Sequence, residues 1–133
     1  MTGSGLALAA RELVGVPFRL HGRDPRSGLD CIGVLEAACS ACGITTRLPA
    51  RYTLRSRRLP PLADIAARLG LFETHGQPEP GDVLFVQPGP CQQHLMIATG
   101  PCRFVHAHAG LRRVVEGPLP AGWAVSRHWR PLP

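Results

Sequence analysis

Apolar positions along the chain follow two different periods. From Leu6 to Val14, residues Leu6, Ala9, Ala10 and Leu13 recur at the steps of a helix face, and Gly15 and Pro17 stop the run. A second helix is predicted from Cys31 to about Cys42, with Asp30 placed as its N-cap and Gly43 as its C-terminal stop. Pro60-Pro61 starts a third, Leu62 to Leu69, closed by Gly70. Phe18–Pro25 reads as a loop and Arg47–Arg58 as a polar connection. Further on, Val83–Val86, His94–Thr99, Arg103–Ala107, Leu111–Val115 and Trp123–Trp129 are short runs between Gly- and Pro-rich turns, the pattern of antiparallel strands. Helices first and strands second predict an α+β layout: N-terminal helices packed on a small antiparallel β-sheet or half-barrel, in one domain over residues 1–133.

Composition narrows the classes of function. A chain of 133 residues with 44% hydrophobic residues can bury a core without disulfide staples. Met1–Gly5 has no basic leader, the apolar Leu6–Ala10 run is short, and nothing approaches the eighteen or so apolar residues of a membrane span. The expectation is a chain made in the cytoplasm without a signal peptide and without a membrane span. All 15 basic side chains are Arg, and the net charge of +6 suits an anionic partner. The densest cluster, Arg51, Arg55, Arg57 and Arg58, has only Tyr52 nearby for stacking, so it reads as a solvated basic loop and no nucleic-acid partner is expected. Five cysteines, an odd number, predict free thiols.

The candidate chemistry lies in the order Cys31, His94, His106. An Asp30 N-cap puts Cys31 in the first helical turn, where free backbone N–H groups favour a thiolate. Cys31 is therefore expected to alkylate faster than the other four thiols near neutral pH. Gly33 stands where a side chain would crowd an approaching backbone. His94 starts an apolar strand after the loop Gln87–Gln93, and His106 lies within Phe104–Ala107, sharing a face with Phe104 and His108. A thiol at a helix start with two later strand histidines is the set a papain-like cysteine hydrolase needs. His75 and His128 read as surface or edge positions, Trp123 and Trp129 as core or cleft wall, and Cys102 as incidental in its turn.

Five segments carry a resemblance to the NlpC-type cell-wall peptidases, which are papain-like hydrolases of peptidoglycan stem peptides. They are Gly15-Val16-Pro17-Phe18-Arg19, Gly28-Leu29-Asp30-Cys31-Ile32-Gly33, Glu79-Pro80-Gly81-Asp82-Val83-Leu84-Phe85, His94-Leu95-Met96-Ile97 and Val105-His106-Ala107. Small phage-associated and gene-transfer-particle wall peptidases look closest. The resemblance implies the papain-like fold, with Cys31 as nucleophile, His94 as general base and His106 as the group that holds the His94 imidazole. Oxyanion and substrate contacts are expected at Cys31, Phe18 and Asp30. The implied bond joins D-glutamate, through its side-chain carboxyl, to a diamino acid. No cofactor is implied, and the implied partners are peptidoglycan and phage-tail or gene-transfer-particle proteins that deliver the enzyme to the wall. The family's usual Tyr is Phe18 here, its Ser after the nucleophile is Ile32, and its Gly-Gly before the helix is His21-Gly22. Losing one oxyanion donor costs about a hundredfold or more in rate, so a catalytically weak or inactive wall-binding or tail component is the alternative. A zinc site is the other alternative, since Cys39-x-x-Cys42 and Cys91-x-x-His94 are two ligand pairs with zinc-like spacing. In that case His94 could not act as a base.

Overall fold

The computed structural model describes residues 1–48, 62–90 and 92–132. The arginine cluster at 51–58, Pro60-Pro61 and Cys91 lie outside them. Helix α1 (Gly3–Arg11) begins before the predicted Leu6, because the Thr2 hydroxyl accepts the Gly5 N–H at 3.0 Å and caps it there. Strands β1 (Arg23–Asp24), within the predicted loop, and β2 (Gly28–Leu29), just after it, pair as a short hairpin of two residues a side. Helix α2 (Cys31–Ala41) follows directly, as the Asp30 cap and Gly43 stop predict. Helix α3 (Leu62–Arg68) leads into the strands β3 (Leu71–Glu73), β4 (Val83–Gln87), β5 (His94–Gly100), β6 (Arg103–His108), β7 (Arg113–Gly117) and β8 (Ala124–Pro131).

These six strands form one sheet in the order β3-β8-β4-β5-β6-β7, every pair antiparallel. The sheet is open, where a half-barrel was an alternative expectation. Strand β3 has only three residues and was missed as a run of its own. Strand β7 begins two residues later than predicted, because 109–112 is a turn in which the Leu111 N–H donates to His108 Nδ1 at 3.0 Å and Arg112 takes φ 59°. Side chains alternate between the two faces of the sheet, and along β4, β5 and β6 both faces are buried. Val83, Phe85, Leu95, Ile97, Val105 and Ala107 face the main core with the buried faces of α1 and α2, while Leu84, Val86, Met96, Ala98 and Phe104 form a smaller cluster of their own.

Two contacts set the position of the first turn of α2. Glu36 accepts Arg23 Nη1 at 2.9 Å and the Leu48 N–H at 2.8 Å, tying the β1–β2 hairpin and the segment after α2 to the helix. Gly33 packs so closely on the Gly22 carbonyl oxygen that a Cβ there would overlap it. The turn before β4 is held as closely. Gly81, at φ +89°, lies against the Gly3 backbone, and its N–H donates to the Ala98 carbonyl at 2.8 Å.

The side chain that organises this turn is Asp82, fully buried. It accepts hydrogen bonds from Arg130 Nε at 2.8 Å, Arg130 Nη2 at 2.9 Å and the Glu79 N–H at 2.9 Å, and lies 2.6 Å from His128 Nε2. Burial alone would raise its pKa, but Arg130, the Glu79 N–H and His128 outweigh that and hold the carboxyl below its ordinary value. His128 is therefore a buried partner of Asp82, not the surface or edge residue expected from sequence. The reading failed because its partner is 46 positions earlier in the chain. His75 and Cys102 are exposed, as expected.

Candidate functional site

The start of α2 meets the ends of β5 and β6 in a pocket of about 570 Å³, whose wall includes Phe18, Asp30, Cys31, His94, His106 and Trp123. Asp30 is the N-cap: one carboxylate oxygen accepts the Gly33 N–H at 2.7 Å and the other the His21 N–H at 3.0 Å. Both oxygens are thus spent on backbone, and the carboxylate joins the preceding loop to the helix that carries Cys31. His21, in the expected Gly-Gly segment, takes φ 60°, the region where glycine is the least strained residue. Its left-handed turn is what aims its N–H at Asp30.

The two histidines are in direct contact. His94 Nε2 and His106 Nδ1 are 2.9 Å apart, and the rings meet edge to face with centroids 5.0 Å apart. Trp123 packs edge-on against both, 5.6 Å from His94 and 5.7 Å from His106 between centroids. Sequence reasoning left Trp123 as core or cleft wall, and it is cleft wall. Trp129 is the one buried in the core. Burial, reinforced by the neighbouring imidazoles, pushes the His94 pKa down to about 3, and burial with His108 pushes His106 down to about 4. With both rings neutral, a His94 tautomer carrying its proton on Nε2 donates to His106 Nδ1 and leaves Nδ1 as a free base. A protonated His106 would lose that acceptor.

Cys31 departs from the expectation of a thiol activated at rest. It is only 3% exposed, and burial pushes its pKa up to about 12, against the N–H groups of Leu95, Ile32 and Cys31 itself, which favour the thiolate. The helix start is where sequence put it, but the strands packed over the sulfur outweigh the helix. Near neutral pH the exposed Cys102 is therefore expected to alkylate ahead of Cys31, which mass spectrometry of iodoacetamide-labelled peptides checks directly.

Of the four expected zinc ligands, Cys91 lies outside the described residues. Cys39 is sealed in the main core, Cys42 is half-buried, and His94 has Nε2 against His106. Among the described residues no group of three or more His, Cys, Asp or Glu is placed to hold a metal ion. A larger groove of about 870 Å³, walled by Leu84, Phe104, Leu119 and Val125, contains none of the three catalytic candidates. No described helix is long and apolar enough to cross a membrane.

The profile of the NlpC/P60 family matches residues 15–126. Among solved structures, the NlpC/p60 domain of the peptidoglycan hydrolase SagA superposes with a TM-score of 0.68 at 22% identity, over 99% of this chain and 100% of that one. NlpC2 from Trichomonas vaginalis matches with a TM-score of 0.66 at 18% identity over 97% of this chain, which spans only 45% of that protein. RipD from Mycobacterium tuberculosis, described as a non-catalytic NlpC/p60 domain protein adapted to peptidoglycan binding, matches with a TM-score of 0.59 at 15% identity, over 98% and 97% of the two chains. At these identities the structures establish a shared fold. No curated protein sequence matches significantly.

Proposed function

The chain belongs to the NlpC/P60 family, and on that premise we propose that it is a cysteine peptidase cleaving amide bonds in peptidoglycan stem peptides. The observation that carries the reading is the 2.9 Å His94–His106 contact in the pocket that also holds Cys31 at a helix start. In this reading Cys31, His94 and His106 act as one unit within a single domain. The bond cut is the γ-linkage from D-glutamate to a diamino acid, and phage-tail or gene-transfer-particle proteins bring the enzyme to the wall.

The raised thiol and lowered imidazole set the course of the reaction. At rest the pair is S–H and neutral imidazole, so the thiolate forms as attack begins. The Cys31 sulfur bonds to the carbonyl carbon while its proton passes to His94 Nδ1, and His106 Nδ1 accepts from Nε2–H of the imidazolium. The tetrahedral oxyanion is met by the Cys31 backbone N–H at the start of α2. Phe18 lines the pocket without a hydroxyl to add a second donor. His94 then gives the proton to the leaving amine nitrogen as the C–N bond breaks, leaving a thioester. Water attacks it, its proton passes through His94 back to sulfur, and the acid is released.

The pH profile follows from the same environment. The base must be unprotonated, and burial has moved its pKa from near 6.5 to about 3, with its acceptor His106 near 4. kcat/KM is therefore expected to stay level as pH falls from 7 to 5 and to decline only toward 4. An inflection near 6.5 would mean an imidazole in free solvent, contrary to this site.

The reading is tested by incubating peptidoglycan fragments with the purified protein and reading the products by mass spectrometry. New fragments name the bond from their masses. Binding without cleavage would place the chain with wall-binding domains instead.

A further inference from the structure

Gln93, immediately before His94, is 95% buried and lines the same pocket as Cys31 and Trp123, yet its side-chain Oε1 has no hydrogen-bond partner among the described residues. Buried carboxamide oxygens are nearly always paired, because one left unpaired forfeits its hydration for nothing. Several other polar groups around the pocket are engaged: Asp30 by two N–H groups, His94 Nε2 by His106, and His108 Nδ1 by the Leu111 N–H. The mechanism above makes no use of Gln93. The open valence at Oε1 is that of an acceptor, so the partner this atom lacks is a donor, such as an amide or amine N–H, and not a carboxylate or phosphate.

We propose that Gln93 is a specificity residue, whose Oε1 accepts a hydrogen bond from an N–H of the bound peptide beside the bond to be cut. The inference rests on the reading of this pocket as a peptide-hydrolase site. A site built to take such a donor discriminates against ligands that lack it, since they leave the buried oxygen unpaired. Within a stem peptide the donor is either a backbone amide or a free amino group. The terminal torsion of a glutamine is soft, so the carboxamide can turn to either without moving the backbone.

The test compares wild type, Gln93→Leu and Gln93→Glu on a synthetic stem peptide and on its N-acetylated form, with melting temperature measured in parallel. Gln93→Leu keeps the volume and removes the acceptor. It is expected to raise KM by about tenfold or more with kcat little changed, and to leave Tm equal or higher, because a polar atom without a partner has gone. Gln93→Glu keeps an acceptor oxygen and has no N–H to donate, so it restores KM to within a few-fold. If acetylation erases the difference between wild type and Gln93→Leu, the donor is an amino group; if the difference survives, it is an amide. Wild-type KM in Gln93→Leu, or a fall in Tm with no change in KM, overturns the proposal. Peptide affinity is also measured by calorimetry on Cys31→Ala with and without Gln93→Leu. If wild type fails to cleave but Cys31→Ala binds the peptide and Gln93→Leu weakens that binding, the hydrolase reading falls and this inference stands. If wild type cleaves and Gln93→Leu is indistinguishable from it, the inference alone falls.

Discussion

Cys31→Ala is expected to lower kcat on a stem-peptide substrate by about 10⁴-fold or more, while the protein stays folded. The sulfur is the only thiol among the described residues of the pocket, and the water that would replace it has no comparable nucleophilicity. The change removes one buried sulfur from the first turn of α2 without touching the Asp30 cap or the Gly33 contact, so the fold survives it. His94→Ala is expected to cost a similar factor, because a thiol held near pKa 12 does not ionise without a base. The double variant should then be scarcely worse than either single one, the signature of residues acting as a unit. His106→Ala should cost roughly one to two orders of magnitude less, since His94 keeps its lone pair and loses only its orientation. Steady-state kinetics on the four proteins, with circular dichroism to verify folding, decides this. Turnover by Cys31→Ala at the wild-type rate would remove the nucleophile from the scheme.

The largest effect on stability is expected at the far end of β4. Asp82→Ala should destabilise the protein by about 3–5 kcal/mol, because it removes one partner of a buried charge network and strands the others. Arg130 loses two bonds, His128 loses its 2.6 Å partner, and the Glu79 N–H loses its acceptor. Asp82→Asn keeps the shape but not the charge and should fall between the two. The pH dependence has a definite sign. The folded-state pKa of Asp82 lies below its unfolded value, so its contribution is complete above about pH 4, the ordinary carboxylate range, and is lost as pH falls from there toward the folded value. Urea unfolding at pH 7 and pH 3 should therefore show the Asp82→Ala penalty shrinking in acid. A penalty that is the same at both values would mean that packing, not charge, carries it.

Local features were legible in the sequence. The Asp30 cap, the Gly43 stop and the Cys31 position depend on residues within a turn of one another, and capping chemistry is written at that range. The short runs His94–Thr99 and Arg103–Ala107 between turn residues point to both strands, and alternation points to the shared face of His106 and His108. The features that were not legible depend on distant partners. Nothing near Cys31 says that the packed fold will bury its sulfur and push its pKa up against the pull of the helix start. Nothing near His128 announces Asp82. Trp123 reaches the two histidines only because the chain returns past them before β8, and Gln93 stands out only once the fold buries its Oε1 without a partner.

Strand β8 lies inside the sheet, between the edge strand β3 and β4, although it is the last of the described strands to be made. Every catalytic candidate has been synthesised by residue 106, yet β3 has no neighbour but β8, and the Asp82 carboxylate has neither His128 nor Arg130 until β8 arrives. A nascent chain would therefore carry the complete chemistry on an unfinished scaffold, with the apolar edge of β4 exposed to chaperones or to its own copies. The sheet is therefore completed only when β8 enters between β3 and β4, after the residues of the candidate site have already been made.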